Sequence, residues 1–224
     1  MVGQPSPRPE DRPTEPGVPG ILGIYQALFT TKDRPLIATV TIDGAGASGK
    51  PLRFTLPDAW PPKPAETIMK RVDATYAGLR SLVTHEQLSS GPRRTIDTLY
   101  KAVAPSSLTI KSSNGIDGVV IGTTRWDKQP GRPYRRSTQR PPLKAIKPYW
   151  EGAVEDATLL DSSAIGERPV WLISFAALQM PAFFEIAVDK KTNRVLDLHM
   201  IASAHFMHHR YGLFDVPPTI RAPA

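Results

Sequence analysis

Cysteine is absent from this 224-residue chain. Its absence removes disulfides and thiolate metal sites without fixing the redox compartment. No run approaches the roughly 18 apolar residues of a membrane-spanning helix. The familiar catalytic signatures are missing too. There is no Gly-x-Ser-x-Gly elbow, and His85-Glu86 is not followed by a second histidine at zinc-protease spacing. Gly44 to Lys50 imitates a phosphate loop, but Pro51 stands where a Ser or Thr would hold magnesium and open a helix. Asp189, Asp197 and Asp215 sit beside turns or basic residues. Asp215 paired with His205, His208 or His209 would orient an imidazole, but no nucleophile accompanies it. These absences argue against an enzyme and against nucleotide binding.

What is present begins with charge. The formal balance is +7, which favours anionic partners, and 40% hydrophobic content fits a globular chain. Lys128, Arg132, Arg135, Arg136, Arg140, Lys144 and Lys147 follow one another with no acid between them. The simplest reading is a solvated loop and an edge strand protected from mispairing. The alternative is a site for anionic phospholipid headgroups, with Arg132, Arg135 and Arg136 as its candidates. Trp126 and Tyr134 lie nearby, but no nucleic-acid motif frames them, so nucleic acid is not an expected partner.

Three segments divide the chain. Residues 1–20 are proline-rich, carry charges of both signs and have almost no large apolar residues. Such a segment is expected to be a disordered linker. It lacks the layout of a signal peptide, so the chain is either cytoplasmic or a fragment with its targeting segment upstream. Residues 21–62 read as β structure, with strands over Leu36–Ile42 and Leu52–Leu56 and a turn at Asp43-Gly44. Trp60 to Pro64 is a rigid proline joint. Residues 63–224 form the main domain.

That domain opens with a helix expected over Ala65–Val83. Ile68, Met69, Val72, Tyr76, Leu79 and Leu82 recur at helical spacing and make one core-facing stripe. Turn-separated strands follow: Leu82–Leu88, Thr95–Ala104, Ser107–Ser112, Val119–Arg125, Tyr134–Thr138, Ala157–Ser163, Arg168–Phe175, Ala182–Asp189 and Val195–His208. Pro141 to Trp150 is a connector that interrupts them. The class is α+β: a curved antiparallel sheet, an incomplete β-barrel, wrapped around one long helix, with a short N-terminal β segment.

Four of the five histidines fall between His199 and His209, along with Met200 and Met207. Read as one strand, the stretch puts His205, Met207 and His209 on a common face. Imidazole and thioether together suit copper, so these three are candidate metal ligands. The plainer reading is a strand whose histidines cap the rim of a sheet.

Several motifs coincide in order. An amphipathic helix runs into Leu79-Arg-Ser-Leu82, and Thr84-x-x-x-x-Ser89-Ser-Gly-Pro92 follows. Next come Val119-Val-Ile-Gly122 and Arg125-Trp126. Phe184-x-x-x-Val188-Asp-Lys-Lys-Thr-x-Arg194-Val-Leu-x-Leu198 then leads to Ala204-His-Phe-Met-His-His-Arg-Tyr211-Gly-x-Phe-Asp215. Over residues 63–220 this resembles the LolA/LppX-like superfamily of extracytoplasmic lipoprotein carriers. It resembles in particular the domain of that type at the C-terminal end of bacterial copper-resistance (CopC/CopD-like) membrane proteins. Residues 21–60 then resemble the tail of a preceding immunoglobulin-like domain. The resemblance implies a half-barrel with an apolar cavity that holds acyl chains, on the extracytoplasmic face of a bacterial membrane. The partners it implies are an apolar small molecule or lipid, a membrane surface, or a membrane-embedded copper transporter. It supplies no metal-ligand set. The cavity lining is expected to include Val72, Tyr76, Leu79, Val120, Trp171, Phe175 and Phe184. Three functions stay open: a non-enzymatic lipid-binding domain, a copper-handling accessory domain, and a structural interaction module. An open apolar cavity favours the first, convergence of imidazoles and thioether the second, and a filled core the third.

Overall fold

The computed structural model describes residues 63–90, 95–152, 154–177, 182–202 and 205–223, and the backbone of short strands between residues 37 and 55. The linker expected over residues 1–20 lies outside the described residues. In the N-terminal β segment, Ile37–Val40 (β1) pairs antiparallel with Leu52–Thr55 (β4). Asp43–Gly44 (β2) pairs with Ala47–Ser48 (β3), so the expected turn at Asp43-Gly44 is instead one side of a small ladder.

The main domain starts with a two-residue strand, Lys63–Pro64 (β5), and the helix Glu66–Gly78 (α1). Then come Ser81–Ser89 (β6), Thr95–Val103 (β7), Ser107–Ser112 (β8), Asp117–Ile121 (β9), Thr124–Lys128 (β10) and Arg135–Thr138 (β11). After the connector come Glu155–Ile165 (β12), Arg168–Ala177 (β13), Ala182–Asp189 (β14), Val195–Ala202 (β15) and His205–Gly212 (β16). These strands form one 12-stranded antiparallel sheet in the order β11-β10-β9-β8-β7-β6-β16-β15-β14-β13-β12-β5. It is two meanders joined where the first long strand, β6, pairs with the last, β16. The outer strands are different elements, so the curved sheet does not close on itself.

The helix is shorter than its apolar spacing suggests. It has 13 residues and buries Ile68, Met69, Val72 and Tyr76, with Glu66 in the first turn, where the helix dipole favours an acid. It stops at Gly78, a poor helix former, and Leu79 is already extended. Long-range partners then take over the backbone. Arg80 N–H donates to Asp215 Oδ1 at 2.9 Å, and the Arg80 carbonyl accepts from Ala104. Leu79 and Leu82 are buried as expected, but Leu79 lies just past the helix and Leu82 lies in β6. The long helix over Ala65–Val83 is therefore corrected to a short one followed by a strand.

Other bounds shift for local reasons. The strand expected over Val119–Arg125 is a hairpin that turns at Gly122-Thr123, with Ile121 facing Thr124. Gly122 sits at φ +63°, which suits the first position of a two-residue primed turn. The strand expected over Val195–His208 is likewise a hairpin, with Ala202 facing His205. No Gly, Pro or Asn breaks this run and Ser203 is its one small polar residue between the two strands, so composition gave only a weak turn signal.

Directly opposed residues on paired strands share a face. On β13 to β16, Ile173, Phe175, Phe184, Ile186, Val188, Leu198, Met200 and Met207 point to one side and join Val72 and Tyr76 of α1 in a single core. Trp150 from the connector is only 1% exposed and caps this core. It meets Phe175 edge-on with centroids 5.6 Å apart and Tyr76 at 5.8 Å. A small second cluster of Val170, Ala187 and Leu196 lies apart from it. Alternation puts Val170 and Ala187 on the other face, and the register shift between Ala187 and Val188 lets Leu196 join them.

Candidate functional site on the covered face of the sheet

The covered face has an apolar part and a polar part. In the apolar part, Phe175 and Phe184 stack with centroids 5.0 Å apart and planes 12° from parallel. The helix and the connector fill the space above them. Of the expected cavity residues, Val72, Tyr76, Leu79, Phe175 and Phe184 do come together, but as packed core rather than as the lining of an open cavity. Trp171 packs on the edge of that cluster, with the Arg71 guanidinium 5.4 Å from its ring centre. Val120 is buried on β9 but does not belong to that cluster.

The polar part is a nest on β6, β7 and β16. His209 Nε2 lies 2.8 Å from Glu86 Oε2, and its Nδ1 lies 3.0 Å from the Tyr211 hydroxyl. The Tyr100 hydroxyl donates to Glu86 Oε1 at 3.1 Å. Tyr149 from the connector closes over the His209 ring, edge to face at 5.6 Å. Burial pushes the phenol pKa values of Tyr76, Tyr100 and Tyr211 up, so all three stay neutral donors at ordinary pH. The Tyr76 hydroxyl approaches that of Tyr211 and Trp150 Nε1 approaches Asp73, but neither contact has hydrogen-bond geometry. The helix and connector thus cover the face with buried polar atoms left unpaired, a costly arrangement.

The histidine stretch is divided between the two faces. His205, Met207 and His209 do share one face of β16. The structure does not assemble them as a ligand set: Met207 is packed in the core, both ring nitrogens of His209 are engaged, and His205 is exposed. The hairpin instead brings His199 opposite His208 on the other face. Their rings stack with centroids 4.2 Å apart, and both reach Asp197. Sequence reading gave Glu86, Tyr100 and Tyr211 no role in a site and did not bring Asp197, His199 and His208 together. A hairpin that sets Ala202 opposite His205 would have brought Asp197, His199 and His208 together. The nest depends on a contact across 123 residues and left no local trace.

Arg135 and Arg136 lie exposed on the edge strand β11, and Arg132 lies exposed in the turn before it. Lys128 adds its charge nearby, 5.7 Å from the Tyr134 ring centre. Among the described residues no helix is long and apolar enough to cross a membrane.

No protein-family model matches the chain, and no curated protein does. Solved structures do. An unclosed antiparallel sheet with one helix on its covered face is a half-barrel. The lipoprotein LppX of Mycobacterium tuberculosis overlays with a TM-score of 0.52 at 9% identity, over 69% of this chain and 97% of that one. LprF of Mycobacterium bovis, at 14% identity, overlays more loosely, with a TM-score of 0.45 over 72% of this chain and 99% of that one. At these identities the likeness concerns the fold.

Proposed function

We propose that the main domain is a non-enzymatic carrier that takes up a lipid or another apolar ligand on the covered face of its half-barrel. The core is filled, which by itself would favour a structural module; the observation that favours a carrier is the cover. Among the described residues, a wide apolar sheet face is shielded by a 13-residue helix and a connector without regular structure. Buried polar atoms of Tyr76 and Trp150 in that cover find no hydrogen-bond partner among the described residues. Lifting the cover would expose Phe175, Phe184, Met200 and Met207 to an acyl chain, and leave Glu86, His209 and Tyr100 for a polar head. The ligand would replace the helix and connector as the apolar partner of the sheet. The fold shared with LppX supports the same reading.

The domain would then act on the extracytoplasmic side of a bacterial membrane, as part of a larger membrane protein with a copper-resistance role, in line with the motif over Ala204–Asp215. Arg132, Arg135 and Arg136 would meet anionic headgroups there. The test is native mass spectrometry of the chain purified from membranes, combined with transfer of a fluorescent phospholipid between vesicles. A bound lipid and accelerated transfer are expected. Repeated absence of an adduct together with no transfer would leave a structural interaction module instead.

A further inference from the structure

We propose that Asp197, His199 and His208, on the face of the sheet opposite the carrier core, bind a divalent first-row transition-metal cation of the zinc or copper type. Strand geometry builds the cluster. Asp197 and His199 are two residues apart on β15 and so point the same way. His208 on β16 is the direct cross-strand partner of His199. Asp197 bridges the pair: Oδ1 lies 3.0 Å from His199 Nε2, and Oδ2 lies 2.8 Å from His208 Nε2. One ligand atom from each residue falls within 4.8 Å of the others.

Imidazole nitrogen with carboxylate oxygen is a ligand set these cations favour, and copper(II) should bind more tightly than nickel(II) or zinc. Bonds of about 2.0–2.1 Å would draw the three ligand atoms to about 3.0–3.5 Å apart. The stacked rings, now 10° from parallel, must tilt toward each other for their lone pairs to converge. His199 has room to turn, since its side chain is 54% exposed. On binding, each ring carries its remaining proton on Nδ1, and the metal takes the place of the two hydrogen bonds to Asp197. Three protein ligands leave the solvent side open for water or an exogenous anion. His208 also lines an outer-face groove of about 240 Å³ with His85, Gln87, Asp97, Lys111 and Arg210. Arg210, paired across the strands with Asp197, opposes the cation and sets a ceiling on affinity.

Calorimetric titration of the full chain with zinc chloride, and separately with copper(II) chloride, tests the site. One equivalent should bind. Both His199→Ala and Asp197→Asn should weaken binding about tenfold or more. His205→Ala, in the same hairpin but outside the cluster, should leave it unchanged, and Arg210→Gln should tighten it. His199 is exposed, so its variant keeps the core intact and remains informative even if another variant unfolds. Binding of less than one equivalent, or His199→Ala affinity equal to that of the unaltered chain, would overturn the proposal. Lipid uptake lies on the other face of the sheet, so the two readings can fail independently.

Discussion

Replacing His209 with leucine should be among the most damaging single changes in the domain. The side chains of His209 and Glu86 are only 6% and 10% exposed, and they face each other at 2.8 Å. Without the imidazole, the Glu86 carboxylate keeps, among the described residues, the Tyr100 hydroxyl. Breaking one half of such a buried pair costs about 3–5 kcal/mol, because the remaining charge cannot return to water. In a domain of this size that lowers Tm by about 6–20 °C. Glu86→Leu should cost about as much. The double replacement removes both buried groups and leaves only the Tyr100 and Tyr211 hydroxyls short of a partner, at about 1 kcal/mol each. It should therefore be far milder than the sum of the single changes, by about 3 kcal/mol or more. Urea unfolding, with the midpoint read at constant m, measures all four corners of the cycle. A double variant destabilised by the full sum would refute a buried, mutually dependent pair.

Other outcomes follow from single observations. Burial tends to raise the Asp189 pKa, but N–H donors from Thr192 and Lys191 and the Arg168 charge outweigh it and hold it below the usual value. Its contribution is thus complete above the unfolded pKa of about 3.9 and is lost as pH falls through the lower folded value. Asp189→Asn should flatten that acid limb in pH-dependent unfolding; an unchanged limb would place the sensitivity elsewhere. At Gly122, φ is +63° and an added methyl would touch nothing within 4 Å, so Gly122→Ala should cost only the backbone term of about 1–2 kcal/mol by denaturant midpoint. A larger loss would mean the hairpin is packed against something. Replacing Arg132, Arg135 and Arg136 together with glutamine should weaken sedimentation with phosphatidylserine vesicles by about two orders of magnitude, at about 1 kcal/mol per charge. Phosphatidylcholine vesicles should show no difference, and equal loss on both would refute a headgroup site.

Much of the fold was legible because a strand writes its own period. The runs Ser107–Ser112 and Ala182–Asp189 are read from the sequence with the bounds they have in the structure. The amphipathic face of the helix was legible too, since Ile68, Val72 and Tyr76 all turn inward. Its end was not. Leu79 and Leu82 extend the helical spacing by chance, because they are buried for a different reason, in the extended chain and the strand that follow. Asp215, brought back from the far end of the domain, takes the Arg80 N–H and helps fix where the strand begins. No local propensity contains that information.

The histidine stretch shows the same limit in chemical form. Alternation correctly puts His205, Met207 and His209 on one face, but what each one meets depends on register. Pairing β16 with β6 sets Glu86 opposite His209 and turns a candidate metal ligand into half of a buried pair. Pairing β16 with β15 sets His199 opposite His208 and brings Asp197 within reach of both. A register slip of one residue would exchange the faces: His209 would lose its carboxylate and His208 would enter the core. The buried pair therefore holds the register that assembles the open cluster. A variant that loosens the pair without unfolding the sheet, such as Glu86→Gln, should also weaken metal binding at Asp197, His199 and His208. Titration of that variant measures this coupling. Affinity equal to that of the unaltered chain would mean that the β15–β16 hairpin sets its own register without help from β6.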